Sequence, residues 1–434
     1  MTAHSLSVFD GVAQVGVVGY ESLDESFSFH YDPAWARAEG SYSISPHILT
    51  VGQGASSGTV RRFLENLLPE GRALDIVATT FQVARNNLYG LLRQLGQETA
   101  GALSFLMANP EARPTTRREI THKELKERIE VRDEVPFAVW DGRVRMSIAG
   151  YQDKLSVYMD DGRMYLVEGD LASTHILKPE PADSRLPMLV ANEHYCMSLA
   201  GRLGLSVAPA SILRVPEPVL IVERFDRMRE AERVRRLHII DGCQALNFPV
   251  AYKYERNFGS GRDVRGIRDG VSFERLFSIA QYTAEKAVTR MGLLRWALFQ
   301  YLIGNSDAHG KNVSFFCKPN GLSLAPFYDL VSVVQYDGLD KGLAMAYGDE
   351  FELDDIRSCD WALFAERTGT PRSLLSREMR RIGEMAAKAA AQQAADECYQ
   401  GEEKALVSKI TTYVQGQAAK MREMAQPMLR AELD

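Results

Sequence analysis

The chain has 434 residues, enough for two or three domains with a sizeable buried core. Hydrophobic residues make up 45% and charged residues 25%, and the formal net charge of -6 argues against sequence-independent nucleic-acid binding, which rests on excess cationic charge. The five cysteines are far apart and form no C-x-x-C pair, against a disulfide scaffold or a Cys-based zinc site.

The start, MTAHSLSVFDG, has neither a basic n-region nor an apolar h-region, and no uncharged apolar run is long enough to span a bilayer. The expectation is a soluble, cytoplasmic protein with no membrane partner. From Leu6 the chain opens with short strand-like runs, of which VAQVGVVGY is the clearest. It then turns helical: Val60, Phe63, Leu64, Leu67 and Leu68 recur at the spacing of one apolar helix face, and a second helical stretch covers Ala73 to Leu95. Residues 109–134 are polar and charged, with Pro110 and Pro114, and read as a partly helical connecting segment. Between Phe137 and Phe225 strands are favoured: RVRMSIAG, KLSVYMDDGRMYLVEG with a hairpin turn at Asp160-Asp161-Gly162, STHILKPEP and VLIVERF. One helix, about Val190 to Gly204, interrupts them. After Asp226 helices dominate (Val271 to Ile279, Ala284 to Ile303, and the Ala-rich stretch from Ser376), with one strand-like island, LSLAPFYDLVSV.

The segment LIGNSDAHGKNVSFF is the most informative. An apolar helix ends at Gly304 and delivers a polar loop in which Asp307 and Asn312 are five residues apart, with Lys311 before the Asn. Phosphotransferases of the protein-kinase type use this D-x-x-x-x-N spacing: the Asp accepts the proton of the attacking hydroxyl and the Asn binds Mg²⁺. Alone, an Asp and an Asn in a loop are weak evidence. Seventeen residues after Asn312, Asp329 follows the apolar run LSLAPFY, where a kinase places its second metal ligand. Its bland alternative is an N-cap for the next helix. One carboxylate and one amide suffice for Mg²⁺, which keeps several waters. Upstream, Lys178 ends a strand and suits neutralisation of phosphate charge, and Glu193 lies early on the following helix as its possible partner. His309, inside the loop, suits orienting it rather than acid–base work. These pieces occur in kinase order, but SIAGYQDK holds a single Gly150 in place of a G-x-G-x-x-G loop. The triplet Gly52, Gly54, Gly58 misses the dinucleotide fingerprint by one residue.

With these residues assembled, the sequence resembles the HipA-type serine/threonine kinases, toxins of type II toxin–antitoxin pairs. The motifs are FLENLLPEG (63–71), SIAGYQDK (147–154), STHILKP (173–179), NEHYC (192–196), VERFDR (222–227), GNSDAHGKN (304–312) and PFYD (326–329). The resemblance implies an α+β fold, protein-kinase-like and bilobal, with a mixed N-terminal part carrying a small strand-rich subdomain and an all-helical C-terminal half. The implied domains are 1–110 (N-terminal subdomain), 111–136 (connection), 137–225 (strand-rich lobe with phosphate loop and lysine) and 226–434 (helical lobe with catalytic loop and metal Asp). It implies that Asp307 is the catalytic base, that Asn312 and Asp329 ligate Mg²⁺, and that Lys178 contacts ATP phosphates. Glu223 and Phe225 would hold the adenine, Gly150 and Gln152 belong to the loop over the phosphates, and Ser147 is the autophosphorylated serine. Glu193, His309 and Lys311 support the site. The implied partners are a small helix-turn-helix antitoxin of the HipB kind, operator DNA mainly through that antitoxin, and an aminoacyl-tRNA synthetase as substrate. Two other readings stay open: a small-molecule kinase of the aminoglycoside- or choline-kinase type, and a non-catalytic nucleotide-binding co-repressor.

Overall fold

Alternation of buried and open positions builds the first sheet. Leu6 and Val8, Phe27 and Phe29, and Leu103 and Phe105 are buried at every second position of their strands, because successive strand side chains point to opposite faces. The computed structural model, which describes residues 3–107, 114–145, 152–169, 171–230 and 233–433, orders this antiparallel sheet Ser26–Tyr31, Ala13–Glu21, Ala3–Asp10, Leu103–Leu106. The helix Ser57–Glu65 buries Val60, Phe63 and Leu64, and Ser56 caps it by accepting from the Thr59 N–H. The expected second helical stretch is two helices, Gly71–Phe81 and Leu88–Leu95. Gln82 turns left-handed at φ 52° and ends the first, and the Asn87 side chain caps the second.

The chain divides into two units. The first comprises Met1–Ala182, Leu213–Val250 and Phe315–Ser323; the second comprises Asp183–Ile212, Ala251–Ser314 and Leu324–Asp434. Besides the first sheet, the first unit holds most of a larger one, in the order Ala210–Arg214, Pro218–Glu223, His175–Pro179, Leu155–Asp160, Arg163–Glu168, Thr116–Ile120. Asp161 and Gly162, at φ 46° and 74°, form the tight turn read from the sequence. Ile120, Leu155, Val157, Met164, Leu166, Leu177 and Val219 pack under the helix His122–Glu130 through Leu125 and Ile129. The segment 111–136, expected as a connection, therefore supplies an edge strand and a core helix.

Residues 226–434 are not all-helical. Strands run over Arg227–Glu230, Arg233–Arg236, Ile239–Asp241, Ser314–Lys318 and Gly321–Leu324, the last three forming one sheet. Such three- to five-residue strands show little periodicity, and residues far apart in the chain complete their ladders. The second unit is built on the helices Leu189–Arg202, Lys286–Ile303, Ser358–Arg367, Arg372–Ala394 and Glu403–Ala425. Phe273, Trp296, Tyr301, Tyr347, Trp361 and Phe364 form an aromatic core there, with ring centroids 4.7–6.2 Å apart. Among the described residues no helix is long and apolar enough to cross a membrane.

Candidate active site

The helix Lys286–Ile303 ends because Gly304 takes φ 65°, a left-handed conformation that costs glycine little, and its N–H closes on the Gln300 and Tyr301 carbonyls. A Cβ there would also lie 2.6 Å from Val334 and 2.8 Å from Tyr413. The loop that follows is braced from its own backbone. Asn305 Oδ1 accepts from the Asp307 N–H at 3.1 Å, and the Asp307 carbonyl accepts from the His309 N–H at 2.9 Å. Asp307 is exposed, while His309, Lys311 and Asn312 are buried. Burial, reinforced by Lys253 and then Lys311 against the pull of Asp329, pushes the His309 imidazole down to about 3. The ring is therefore neutral and suits walling the loop, not carrying a proton.

Asn312 and Asp329 meet. Asn312 Oδ1 accepts from the His309 N–H at 3.0 Å, and its Nδ2 lies 3.4 Å from Asp329 Oδ2. Asp329 does not end a strand and does not cap a helix of the expected kind. The strand stops at Leu324, and only a short 3₁₀ turn, Val333–Gln335, follows. Asp329 sits in the left-handed region at φ 58°, which Asp tolerates better than most residues and which aims its carboxylate at Asn312. Three contacts hold it there. Phe327 is bridged to the chain at Val207, donating to the Ser206 carbonyl at 2.8 Å and accepting from the Ala208 N–H at 2.9 Å. The Tyr328 hydroxyl donates to the Lys311 carbonyl at 2.7 Å. Fully buried Asn192 clamps Ser332, accepting from its N–H at 2.8 Å and donating to its carbonyl at 3.1 Å. A carboxylate and an amide carry hard oxygen donors of the kind Mg²⁺ takes, although here it is the Asn312 Nδ2 that faces Asp329 while its Oδ1 accepts from the His309 N–H. Among the described residues no three His, Cys, Asp or Glu side chains cluster as a metal cage.

Of the remaining expected residues, Glu193 is buried in the same unit on Leu189–Arg202. Lys178, Gln152, Glu223 and Phe225 belong to the first unit. Lys178 is buried on the central strand His175–Pro179, opposite Leu220, and Gln152 Nε2 reaches the Pro179 carbonyl at 3.5 Å. Glu223 is exposed at the end of Pro218–Glu223, and Phe225 packs edge-on against Phe316 with centroids 6.0 Å apart. Ser147 and Gly150 lie outside the described residues.

Arg224 and Asp226, on either side of Phe225, are buried. Arg224 grips Asp226 with two hydrogen bonds, Nε to Oδ1 at 3.0 Å and Nη2 to Oδ2 at 2.8 Å. Arg227 Nη1 adds a third at 2.7 Å and the Gly101 N–H a fourth at 2.8 Å. Glu98 joins through Ser173 and faces Arg224 at 3.7 Å and Arg227 at 3.6 Å. Arg236 donates to the carbonyls of Thr99, Gly101 and Leu103. Burial alone would raise both carboxyls, but the surrounding guanidinium groups outweigh it, holding Glu98 at about 2 and Asp226 below the ordinary carboxylate range. Sequence reasoning missed this network, and it also missed Asn192 as a clamp, Tyr328 as a tie, and Tyr254, whose hydroxyl donates to Asp307 Oδ1 at 2.7 Å.

Comparison with known proteins shows the family. The profile of the HipA-like C-terminal domain matches residues 146–394, and that of the HipA N-terminal domain matches residues 6–106. The chain belongs to the HipA family. Within it, the chain is 41% identical over 381 residues to a Shewanella oneidensis protein named serine/threonine-protein kinase toxin HipA, covering 87% of this chain and 86% of that one. It is 32% identical over 406 residues to the putative kinase Y4mE of Sinorhizobium fredii, covering 90% and 92%. Among solved structures it matches one of the Shewanella oneidensis HipA, HipB and operator DNA complex, at a TM-score of 0.90 and 37% identity over 99% of this chain and 100% of that one.

Proposed function

We propose that this HipA-family chain is an ATP- and Mg²⁺-dependent serine/threonine protein kinase, the toxin of a toxin–antitoxin pair. The observation that carries the reading is the convergence of Asn312 and Asp329 at 3.4 Å, with Asp329 turned left-handed, in the unit that presents the exposed Asp307. In this reading Asp307 accepts the proton of the substrate hydroxyl, and Asn312 and Asp329 would hold Mg²⁺, which supplies charge neutralisation to the phosphates. Lys178 and the loop of Gly150 and Gln152 take the phosphates of ATP, Glu223 and Phe225 take the adenine, and Glu193 is the acid the reading pairs with Lys178. The named relative and the solved complex support a HipB-like antitoxin as partner, with operator DNA reached through it. An aminoacyl-tRNA synthetase is the proposed protein substrate. Incubation with labelled ATP and Mg²⁺ tests the assignment: label on protein is expected, and transfer only to a small molecule or to nothing would overturn it.

Lys178 gives a separable result. Lys178→Ala removes a charge-assisted phosphate contact, so ATP affinity should fall roughly 10- to 100-fold while adenosine affinity stays unchanged. Equal loss for ATP and adenosine in a titration would mean that Lys178 supports the sheet instead.

Ser147 is proposed as the site of self-phosphorylation. A phosphate there adds about -1.5 to -2 charge beside the nucleotide phosphates, so the modified enzyme should bind ATP more weakly. Calorimetry on the unmodified and fully phosphorylated proteins checks this, and equal affinities would remove the switch while leaving the kinase reading in place.

A further inference from the structure

Residues 256–269 form a closed loop whose ends are tied together, Asn257 Oδ1 accepting from the Asp269 N–H at 3.2 Å. Turns inside it, from Val264 and Arg265 back to Gly261 and from Ile267 back to Val264, give it a fixed shape. Its four arginines and two aspartates give a net +2 in a chain of -6. Arg268 is engaged by the Glu255 and Asp349 carboxylates, and Arg256 lies over the Phe351 ring at 3.6 Å. Arg262 and Arg265 are exposed and make no ion pair among the described residues. Phe258 and Ile267, 59% and 38% exposed, add apolar surface to the same loop.

The stem of the loop is built into the candidate active site. The Tyr252 carbonyl accepts from the Val271 N–H at 2.8 Å, and Glu255 donates its N–H to the Ala344 carbonyl at 2.9 Å. Gly270 presses so closely on this stem that a Cβ there would fall 1.7 Å from the Tyr254 carbonyl oxygen. From the same stem the Lys253 carbonyl accepts from the Gly310 N–H at 2.9 Å, and the Tyr254 hydroxyl donates to Asp307 Oδ1 at 2.7 Å. Phe258 follows Tyr254 by four residues, at most about 14 Å of extended chain. A protein that brings its hydroxyl to Asp307 covers about 800 Å², a patch roughly 30 Å across, so the loop falls within its footprint.

From this placement we infer that the loop 256–269 is a docking element for the protein substrate, and that the substrate surface it takes carries carboxylates. The inference rests on the kinase reading of Asp307. A chain of -6 repels an acidic partner at long range, and this loop supplies unpaired cations beside the site to receive one. Burial first, and then the Arg268 and Arg265 guanidinium groups, depress the proton affinity of Arg256, so incoming carboxylates also relieve repulsion within the loop. An exposed aromatic side chain beside arginines is the combination that dominates protein interfaces.

The test measures transfer from labelled ATP by the full chain to two synthetic peptides, each with a serine and a leucine, one flanked by glutamates and the other by lysines. Expected is a half-saturating concentration about 10-fold lower for the acidic peptide, a difference that disappears in the double variant Arg262→Glu, Arg265→Glu. Self-labelling, half-saturating ATP and thermal midpoint should stay unchanged in that variant. The preference should also shrink at about 1 M salt, where screening reaches about 3 Å, which a merely structural role of the loop would not produce. Phe258→Ser should raise the half-saturating concentration of both peptides. Equal use of the two peptides, a preference that survives charge reversal, or labelling of neither while self-labelling proceeds overturns the inference. So does binding of an RNA oligonucleotide that is lost in the double variant, which would mark a nucleic-acid surface. Absence of self-labelling in the unaltered chain is a different failure, because it removes the kinase reading on which the inference stands.

Discussion

Asp307→Asn should lower phosphate transfer by ~10²–10⁴, the usual cost of losing a general base, with ATP binding retained. The substitution keeps the side chain's shape and its place beside Tyr254 while removing the charge that draws the proton. Asp329→Asn should cost at least as much and should also remove the Mg²⁺ dependence of nucleotide binding, since the carboxylate is the only charged member of the proposed metal pair. Asn is the informative replacement there. Asp329 holds φ 58°, and Asn tolerates the left-handed region as Asp does, whereas Ala would add backbone strain to the loss of charge. Self-labelling measured beside equilibrium nucleotide binding separates the two effects. Near-wild-type labelling by either variant would sink the assignment of that residue.

Asp226→Ala is expected to give the largest loss of stability, about 3–5 kcal/mol, the cost of removing one partner from a buried charge cluster. Asp226 is 4% exposed, with Arg224 and Arg227 bonded to its carboxylate. Without it those guanidinium groups keep, among the described residues, Glu98 as counter-charge, and the Gly101 N–H loses its acceptor. The same carboxyls set an acid limit. Their folded-state proton affinities lie below the unfolded values, so their contribution is present above about pH 4 and lost as pH falls through that range toward the folded values. Urea unfolding at pH 7 should show a lower midpoint for Asp226→Ala, and the further loss on acidification should be smaller than in the wild type. An unchanged midpoint would mean that the cluster is balanced by solvent instead of by its own ion pairs. The cluster also ties the chain around Glu98 to the strand end bearing Glu223 and Phe225, so if those two hold the adenine as proposed, the variant should bind adenine nucleotides less tightly.

The motifs were legible where the physics is local. Asp307 and Asn312 share one loop, and the helix before it stops at Gly304 for a reason visible in a few residues: only glycine takes the left-handed cap there without strain. The Asp161–Gly162 turn and the helix around Asn192 and Glu193 follow from similarly short windows. VLIVERF read as one more strand, but an apolar strand pattern says only that its faces differ. Which face is buried depended on Glu98 and Gly101, more than a hundred residues away, and it put Arg224 and Asp226 inside while leaving Glu223 exposed. The short strands after Asp226 were hidden for the same reason, since Cys317 finds the His238 carbonyl across 79 residues of chain. Asp329 reaches Asn312 because Asn192, Ser206 and Lys311 hold its loop, and Tyr254 reaches Asp307 because Glu255 and Gly270 lock its turn. Residue types and short spacings specify which groups can do the chemistry. Contacts between distant segments decide where each group points, because the hydrogen bonds and packing that fix a side chain's direction come from neighbours that no local window contains.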